Sequence, residues 1–72
     1  MKTYLFNSVQ IKMLGLNRHQ QMIAVRLFPI IALEVGMTIH PVYRPKELAD
    51  LKLINGDEED FIAICELVKE KL

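Results

Sequence analysis

The chain has 72 residues, an apolar fraction of 51%, one cysteine and a formal net charge of zero. A chain of this length is expected to form a single domain, 1–72, and to bury only about 60% of its unfolded surface, which predicts marginal stability. One cysteine excludes an intramolecular disulfide, and no Cys/His spacing is typical of a zinc site. Association with another chain is therefore the expected source of additional stability.

The charges cancel over the whole chain but not locally. Residues 1–46 carry six lysines and arginines against one acid, whereas residues 47–72 carry eight acids against three lysines. The two parts therefore have net charges of +5 and −5. This asymmetry indicates that electrostatics contribute to the choice of partner, which is either a second copy of the chain or another molecule.

The first part of the chain has the pattern of a β-hairpin. Apolar and polar residues alternate along residues 3–14, which predicts a strand. The polar stretch 17–21 follows Gly15 and indicates the tip of a hairpin. Renewed alternation predicts the return strand over residues 22–28.

The middle of the chain predicts a third strand and a first helix. Pro29 cannot donate to a sheet ladder and is expected to end the preceding strand. A strand is predicted over residues 37–43, after a turn that contains Gly36. Pro45 suits the first turn of a helix, which is predicted over residues 45–53.

The end of the chain predicts a second helix over residues 57–71. Asp57 is a good N-cap, and acids follow it in the first turn, where the helix dipole favours negative charge. The helix is expected to bury an apolar stripe at helical spacing, formed by Phe61, Ile64, Cys65, Val68 and Leu72. Together these elements predict an α+β domain, with a small antiparallel sheet of about three strands packed by two C-terminal helices.

One apolar run is too long to serve a single buried face. A small core encloses few large side chains, so part of this run is expected to contact a second subunit. The residues predicted at this protein interface are Leu27, Phe28, Ile30, Ile31 and Leu33.

A nucleic-acid contact is the alternative from another class of function. Arginine and glutamine side chains can bind base edges, and an exposed hairpin can enter a groove. The residues of such a contact are Arg18, His19, Gln20 and Arg26. The chain is not basic overall, its six cations are spread over residues 1–46, and no known nucleic-acid-binding motif is present, which together favour a solvated loop instead.

Catalytic and metal-binding patterns are not found. Ser8, His19, His40 and Cys65 are of suitable types, but no nucleophile motif or metal-ligand spacing joins them. The acidic run 57–60 lacks the alternating ligands and central glycine of an EF-hand. The sequence therefore predicts no enzyme, no cofactor, no metal and no small-molecule substrate.

The expected function is that of a non-catalytic interaction or assembly module. It would associate with itself or with a protein partner and act as a small accessory subunit or regulator. The longest uncharged run in the most apolar part, 27–33, is far shorter than the roughly 20 residues that span a bilayer. With no signal-peptide pattern at Met1 and one thiol, a cytoplasmic location without membrane contact is expected.

Overall fold

The structure is a computed structural model, which describes residues 2–12, 15–41 and 51–72. In chain order the described elements are β1 (Tyr4–Phe6), α1 (Ser8–Lys12), α2 (Arg18–Glu34), β2 (Ile39–Pro41), β3 (Lys52–Ile54) and α3 (Glu58–Glu70).

The sheet has three antiparallel strands in the order β1-β3-β2. Leu53 of β3 is in register with Leu5 of β1 on one side and with His40 of β2 on the other. The β2–β3 ladder continues by one pair, because the Asn55 N–H donates to the Thr38 carbonyl at 3.1 Å. With α2 and α3 packed against the strands, the predicted α+β class with a three-stranded antiparallel sheet is confirmed.

The predicted first strand is much shorter than expected. Only Tyr4–Phe6 of the range 3–14 is a strand, and α1 follows it directly. The Asn7 side chain accepts the Gln10 N–H at 3.2 Å, and the Gln10 side-chain oxygen accepts the Asn7 N–H at 3.0 Å. This reciprocal capping box satisfies N–H groups at the start of α1 and ends the strand.

The predicted hairpin tip at 17–21 and the return strand at 22–28 are wrong, because both lie in or at the start of α2. A second capping box joins Asn17 and Gln20, with hydrogen bonds of 2.9 and 3.1 Å. The buried residues of α2 follow helical spacing, and they are Ala24, Phe28, Ile31 and Ala32. Apolar residues at both odd and even positions fit either period, so the alternation was not specific for a strand.

Pro29 does not end an element but lies inside α2. Proline has no N–H, so position 29 cannot donate the usual helical hydrogen bond to the Val25 carbonyl. The helix continues to a Schellman motif, in which Met37 N–H donates to Ala32 O at 2.8 Å and Gly36 N–H donates to Leu33 O at 3.1 Å. Gly36 has a φ of 84°, the left-handed conformation that this motif requires and that glycine adopts without strain.

The predicted third strand and first C-terminal helix have mixed outcomes. β2 lies within the predicted range 37–43, of which residues 42–43 are outside the described residues. Of the predicted helix 45–53, residues 45–50 are outside the described residues, and Lys52 and Leu53 belong to a strand instead. β3 forms because it pairs with β1, which is distant in sequence, on one side and with β2 on the other, and local sequence does not reveal such pairing.

The core joins both ends of the chain through the three phenylalanines. Ring centroids lie 5.1 Å apart for Phe6 and Phe28, 4.9 Å for Phe6 and Phe61, and 5.3 Å for Phe28 and Phe61. These contacts connect β1, α2 and α3, and each pair has the tilted geometry that aromatic rings prefer.

The terminal helix agrees with its prediction. Asp57 is the N-cap of α3, and Phe61, Ile64, Cys65 and Val68 are buried. The last residue of the predicted stripe, Leu72, remains 37% exposed.

Candidate protein-interaction surface

Helix α2 has a solvent-facing side that is largely apolar. Met22, Ile30 and Leu33 are 58%, 54% and 69% exposed. Spacings of three and four residues place them on one side of the helix together with Arg18 and Arg26. We refer to these five residues as the α2 outer face; both arginines are exposed.

The structure divides the residues predicted at the protein interface. Ile30 and Leu33 are exposed on the α2 outer face, whereas Phe28 and Ile31 are buried in the core. Leu27 is half-buried and packs against the core. A helix turns consecutive residues to different sides, so an unbroken apolar run serves the core and the surface at once.

Two shallow grooves border the α2 outer face. One, of about 230 Å³, is lined by Ser8, Met22, Val25 and Arg26. The other, of about 310 Å³, is lined by Pro29, Leu33, Met37, Thr38, Ile39 and His40. The second groove forms where the Schellman motif turns the chain from α2 back towards β2. Each groove offers a recess in which a side chain from a docked molecule can be buried.

The residues predicted to contact nucleic acid lie on α2 rather than in a hairpin. Arg18, His19 and Arg26 are exposed, and Arg26 follows His19 by seven residues, or two helical turns, which places these two on the same side of the helix. Gln20 is half-buried, and its side-chain oxygen accepts the Asn17 N–H at 3.1 Å. The Gln20 side-chain oxygen therefore stabilises the start of α2.

A second exposed helix face carries the opposite charge. Glu58, Ile62, Glu66 and Glu70 follow one another at four-residue intervals along α3 and are all exposed. We call these four residues the α3 outer face. The sequence analysis gave the acids of this part of the chain a role in capping and in the choice of partner, but it missed Ile62, which is 50% exposed. The four-residue spacing was the available signal.

Neither face has its charges paired within the part of the chain that the structure describes. The ion pair found there joins the Lys2 Nζ to the Asp57 Oδ2 at 3.5 Å. It ties the N-terminal segment to the start of α3 and involves neither face. The arginines of α2 and the glutamates of the α3 outer face form no ion pair with another residue among 2–12, 15–41 and 51–72.

The residues considered for catalysis have different surroundings. Cys65 is buried, and burial, with a smaller contribution from the charge of Glu66, raises the pKa of its thiol to about 11. The thiol is therefore protonated near neutral pH and a poor nucleophile. His19 and His40 are exposed, and His40 Nε2 lies 3.3 Å from the Thr38 hydroxyl. Among the described residues, no three potential ligands are grouped as a metal would require.

Comparisons with protein-family models, curated proteins and solved structures found no match. Within the described ranges, none of the helices combines the length and apolar character needed to cross a bilayer.

Proposed function

We propose that this protein is a non-catalytic assembly module that associates with a second copy of itself through the α2 outer face. The single observation that carries the proposal is the exposure of Met22, Ile30 and Leu33 on one side of the longest described helix. It would act as a small accessory subunit or regulator whose assembled state is its working form.

The energetic argument starts from the small size of the chain. A domain of this length leaves about 40% of its unfolded surface exposed, so burying more apolar surface on association is favourable. Apolar burial contributes roughly 25 cal/mol per Å², and the exposed side chains of the α2 outer face are large. Arginine is enriched at protein interfaces, where its stem covers apolar surface and its guanidinium remains hydrogen-bonded.

A second copy is favoured over a foreign partner because the chain supplies both charges. The α2 outer face contains two arginines, with the acid Glu34 only at the end of the helix, whereas the α3 outer face contains three glutamates, with one base, Lys69, beside it near the end of the helix. Opposite potentials on two surfaces support association between them and discourage like-charged competitors. One chain therefore presents a surface and its electrostatic complement.

Nucleic acid is the second candidate, supported by the shared exposure of Arg18, His19 and Arg26 on α2. Exposed Met22 lies between the two arginines at four-residue spacing, and an apolar side chain gains little from a phosphate backbone. A nucleic-acid complex would weaken steeply as salt concentration rises, because phosphate contacts release counterions. An apolar interface would change little with salt.

The test is sedimentation velocity over a concentration series, with the Leu33→Glu and Ile30→Lys variants beside the parent chain. We expect the parent to show concentration-dependent association and both variants to be folded monomers. Val9→Lys is the matched control, because Val9 is 55% exposed on α1 and lies outside both outer faces. Circular dichroism establishes that each variant remains folded.

Two results would contradict the proposal. A parent chain that stays monomeric at its highest soluble concentration would exclude self-association. Loss of association in Val9→Lys to the same extent as in Leu33→Glu would show that the α2 outer face is not the contact. Tight, salt-sensitive binding of the monomer to a short duplex would favour the nucleic-acid alternative instead.

A further inference from the structure

The two outer faces match in spacing as well as in charge. On α2, Met22 has Arg18 one turn before it and Arg26 one turn after it. On α3, Ile62 has Glu58 one turn before it and Glu66 one turn after it. Each face is thus an exposed apolar residue between two like charges, and the signs are opposite.

We infer that the α3 outer face is the docking site for the α2 outer face of a second copy, with Met22 packed on Ile62 of the partner copy. This inference rests on the proposed self-association and names the surface that receives α2. Apolar contact at the centre with charge pairs at the edges is the usual anatomy of an interface. Exposed charge pairs add little energy but set register and partner choice.

The match is complete in an antiparallel arrangement, in which Arg18 is opposite Glu66, Met22 is opposite Ile62 and Arg26 is opposite Glu58. A parallel arrangement pairs the same kinds of charge but places apolar Ile30 opposite Glu70. In the antiparallel arrangement a displacement by one turn places Met22 against a glutamate. The spacing therefore favours one register and the antiparallel direction.

Charge exchange between two variants tests the inference. The first variant combines Arg18→Glu with Arg26→Glu, and the second combines Glu58→Arg with Glu66→Arg. Each alone places like charges across the contact, and its dissociation constant is expected to rise at least tenfold. An equimolar mixture restores opposite charges at every pair, so it is expected to associate within about threefold of the parent.

A matched control separates the specific contact from general attraction between oppositely charged chains. Lys2→Glu combined with Lys71→Glu changes the net charge as much as reversing both arginines, but neither residue lies on an outer face. The control keeps the arginines of its α2 outer face, so it is not expected to bind the reversed α3 outer face of the Glu58→Arg, Glu66→Arg variant. In a Cys65→Ala background, a control chain with Met22→Cys is therefore not expected to cross-link to that variant carrying Ile62→Cys, whereas the Arg18→Glu, Arg26→Glu chain with Met22→Cys is. If the Glu58→Arg, Glu66→Arg variant does not fold, Glu58→Gln with Glu66→Gln replaces it, and a weaker loss of association is expected.

Cross-linking gives a direct second measurement in a Cys65→Ala background. A chain with Met22→Cys, mixed with a chain with Ile62→Cys and oxidised glutathione, is expected to form a heterodimeric disulfide. Leu5→Cys replaces Ile62→Cys as the control, because Leu5 is 48% exposed but lies on β1. It is expected to cross-link at least tenfold more slowly.

The outcomes distinguish this inference from the proposed function. Restoration in the mixture together with the 22–62 cross-link supports the docking of α2 on α3. If Leu33→Glu abolishes association but the mixture restores nothing, the docking inference is wrong and the assembly proposal stands. If the parent chain is monomeric throughout, both are wrong.

Discussion

The ring of Phe28 on α2 lies 5.3 Å from the ring of Phe61 on α3, at an angle of 44°. This contact joins the helix that carries the proposed docking surface to the helix that carries its acidic complement. Phe28 is fully buried and Phe61 is 5% exposed. The relative position of the two outer faces therefore depends on a packed aromatic contact beneath them.

Replacing Phe61 with alanine is expected to destabilise the chain by about 3–5 kcal/mol, because the buried ring contacts two other phenylalanines and leaves a cavity. On the small stability margin of a short domain this change is expected to unfold most molecules at room temperature. Urea denaturation followed by circular dichroism measures the effect. Val9→Ala is the control, because Val9 is 55% exposed and lies outside both outer faces. An unchanged midpoint for Phe61→Ala would show that the aromatic contact is not part of the core.

Gly56 lies against the capping box that begins α3. A Cβ at this position would lie 2.6 Å from the Asp60 Oδ2, which accepts the Asp57 N–H at 2.9 Å. Gly56→Ala is therefore expected to displace the Asp60 carboxylate and to destabilise the protein by about 1 kcal/mol, the usual effect of a lost cap. In an Asp60→Ala background, Gly56→Ala is expected to destabilise the protein less. Thermal denaturation of the parent, the two single variants and the double variant tests this. Equal losses in both backgrounds would contradict the explanation.

The charge of Asp57 is expected to make the stability of the folded state depend on pH in the acidic range. The Asp60 N–H donates to the Asp57 Oδ1 at 3.0 Å and lowers the pKa of Asp57 from its ordinary 3.8, with Lys2 adding to the effect. A lowered pKa in the folded state contributes stability above the unfolded pKa and loses it as pH falls through the folded pKa. Asp57→Asn keeps an acceptor oxygen without this charge. The difference in melting temperature between parent and Asp57→Asn is expected to narrow between about pH 5 and pH 2, and a constant difference would contradict it.

Cys65 is expected to make the folded state less stable as pH rises in the alkaline range. Burial raises the pKa of its thiol from 9.0 to about 11, so the folded state holds the proton more tightly than the unfolded state. The resulting stability is present below pH 9.0 and is lost as pH rises towards about 11. Cys65→Ala is expected to lack this alkaline loss, as measured by urea midpoints across that range. Near pH 8 a thiol reagent should label the parent slowly and much faster in denaturant, and rapid labelling of the folded chain would show an exposed thiol.

The terminal helix could be predicted from the sequence because its signals are local and agree. Asp57 provides the cap, the following acids match the dipole, and Phe61 begins a stripe with helical spacing. Helix α2 carries conflicting signals. Its apolar residues at alternating positions favour a strand, and Pro29 favours the end of that strand. Its capping box from Asn17 to Gln20 was the local evidence for a helix, and the polar character of that stretch obscured it.

The candidate interaction surface could be predicted only in part from the sequence, for a related reason. The apolar run was visible in the sequence, but the assignment of each of its residues to core or surface depends on the period of the element. Once α2 is a helix, Phe28 and Ile31 point inward while Ile30 and Leu33 point outward. The complementary face around Ile62 depends on tertiary packing, which leaves that side of α3 uncovered.

The central position of β3 has a consequence for the order of folding. Tyr4 of β1 is in register with Ile54 of β3, so this pairing closes a loop of most of the chain. Closing a long loop loses more chain entropy than forming a helix or its cap, and contacts distant in sequence slow folding. During synthesis the segments of α1 and α2 leave the ribosome before the strand that completes the sheet. The nascent N-terminal part therefore exposes Phe6 and the inner side of α2 until β3 and α3 arrive to cover them.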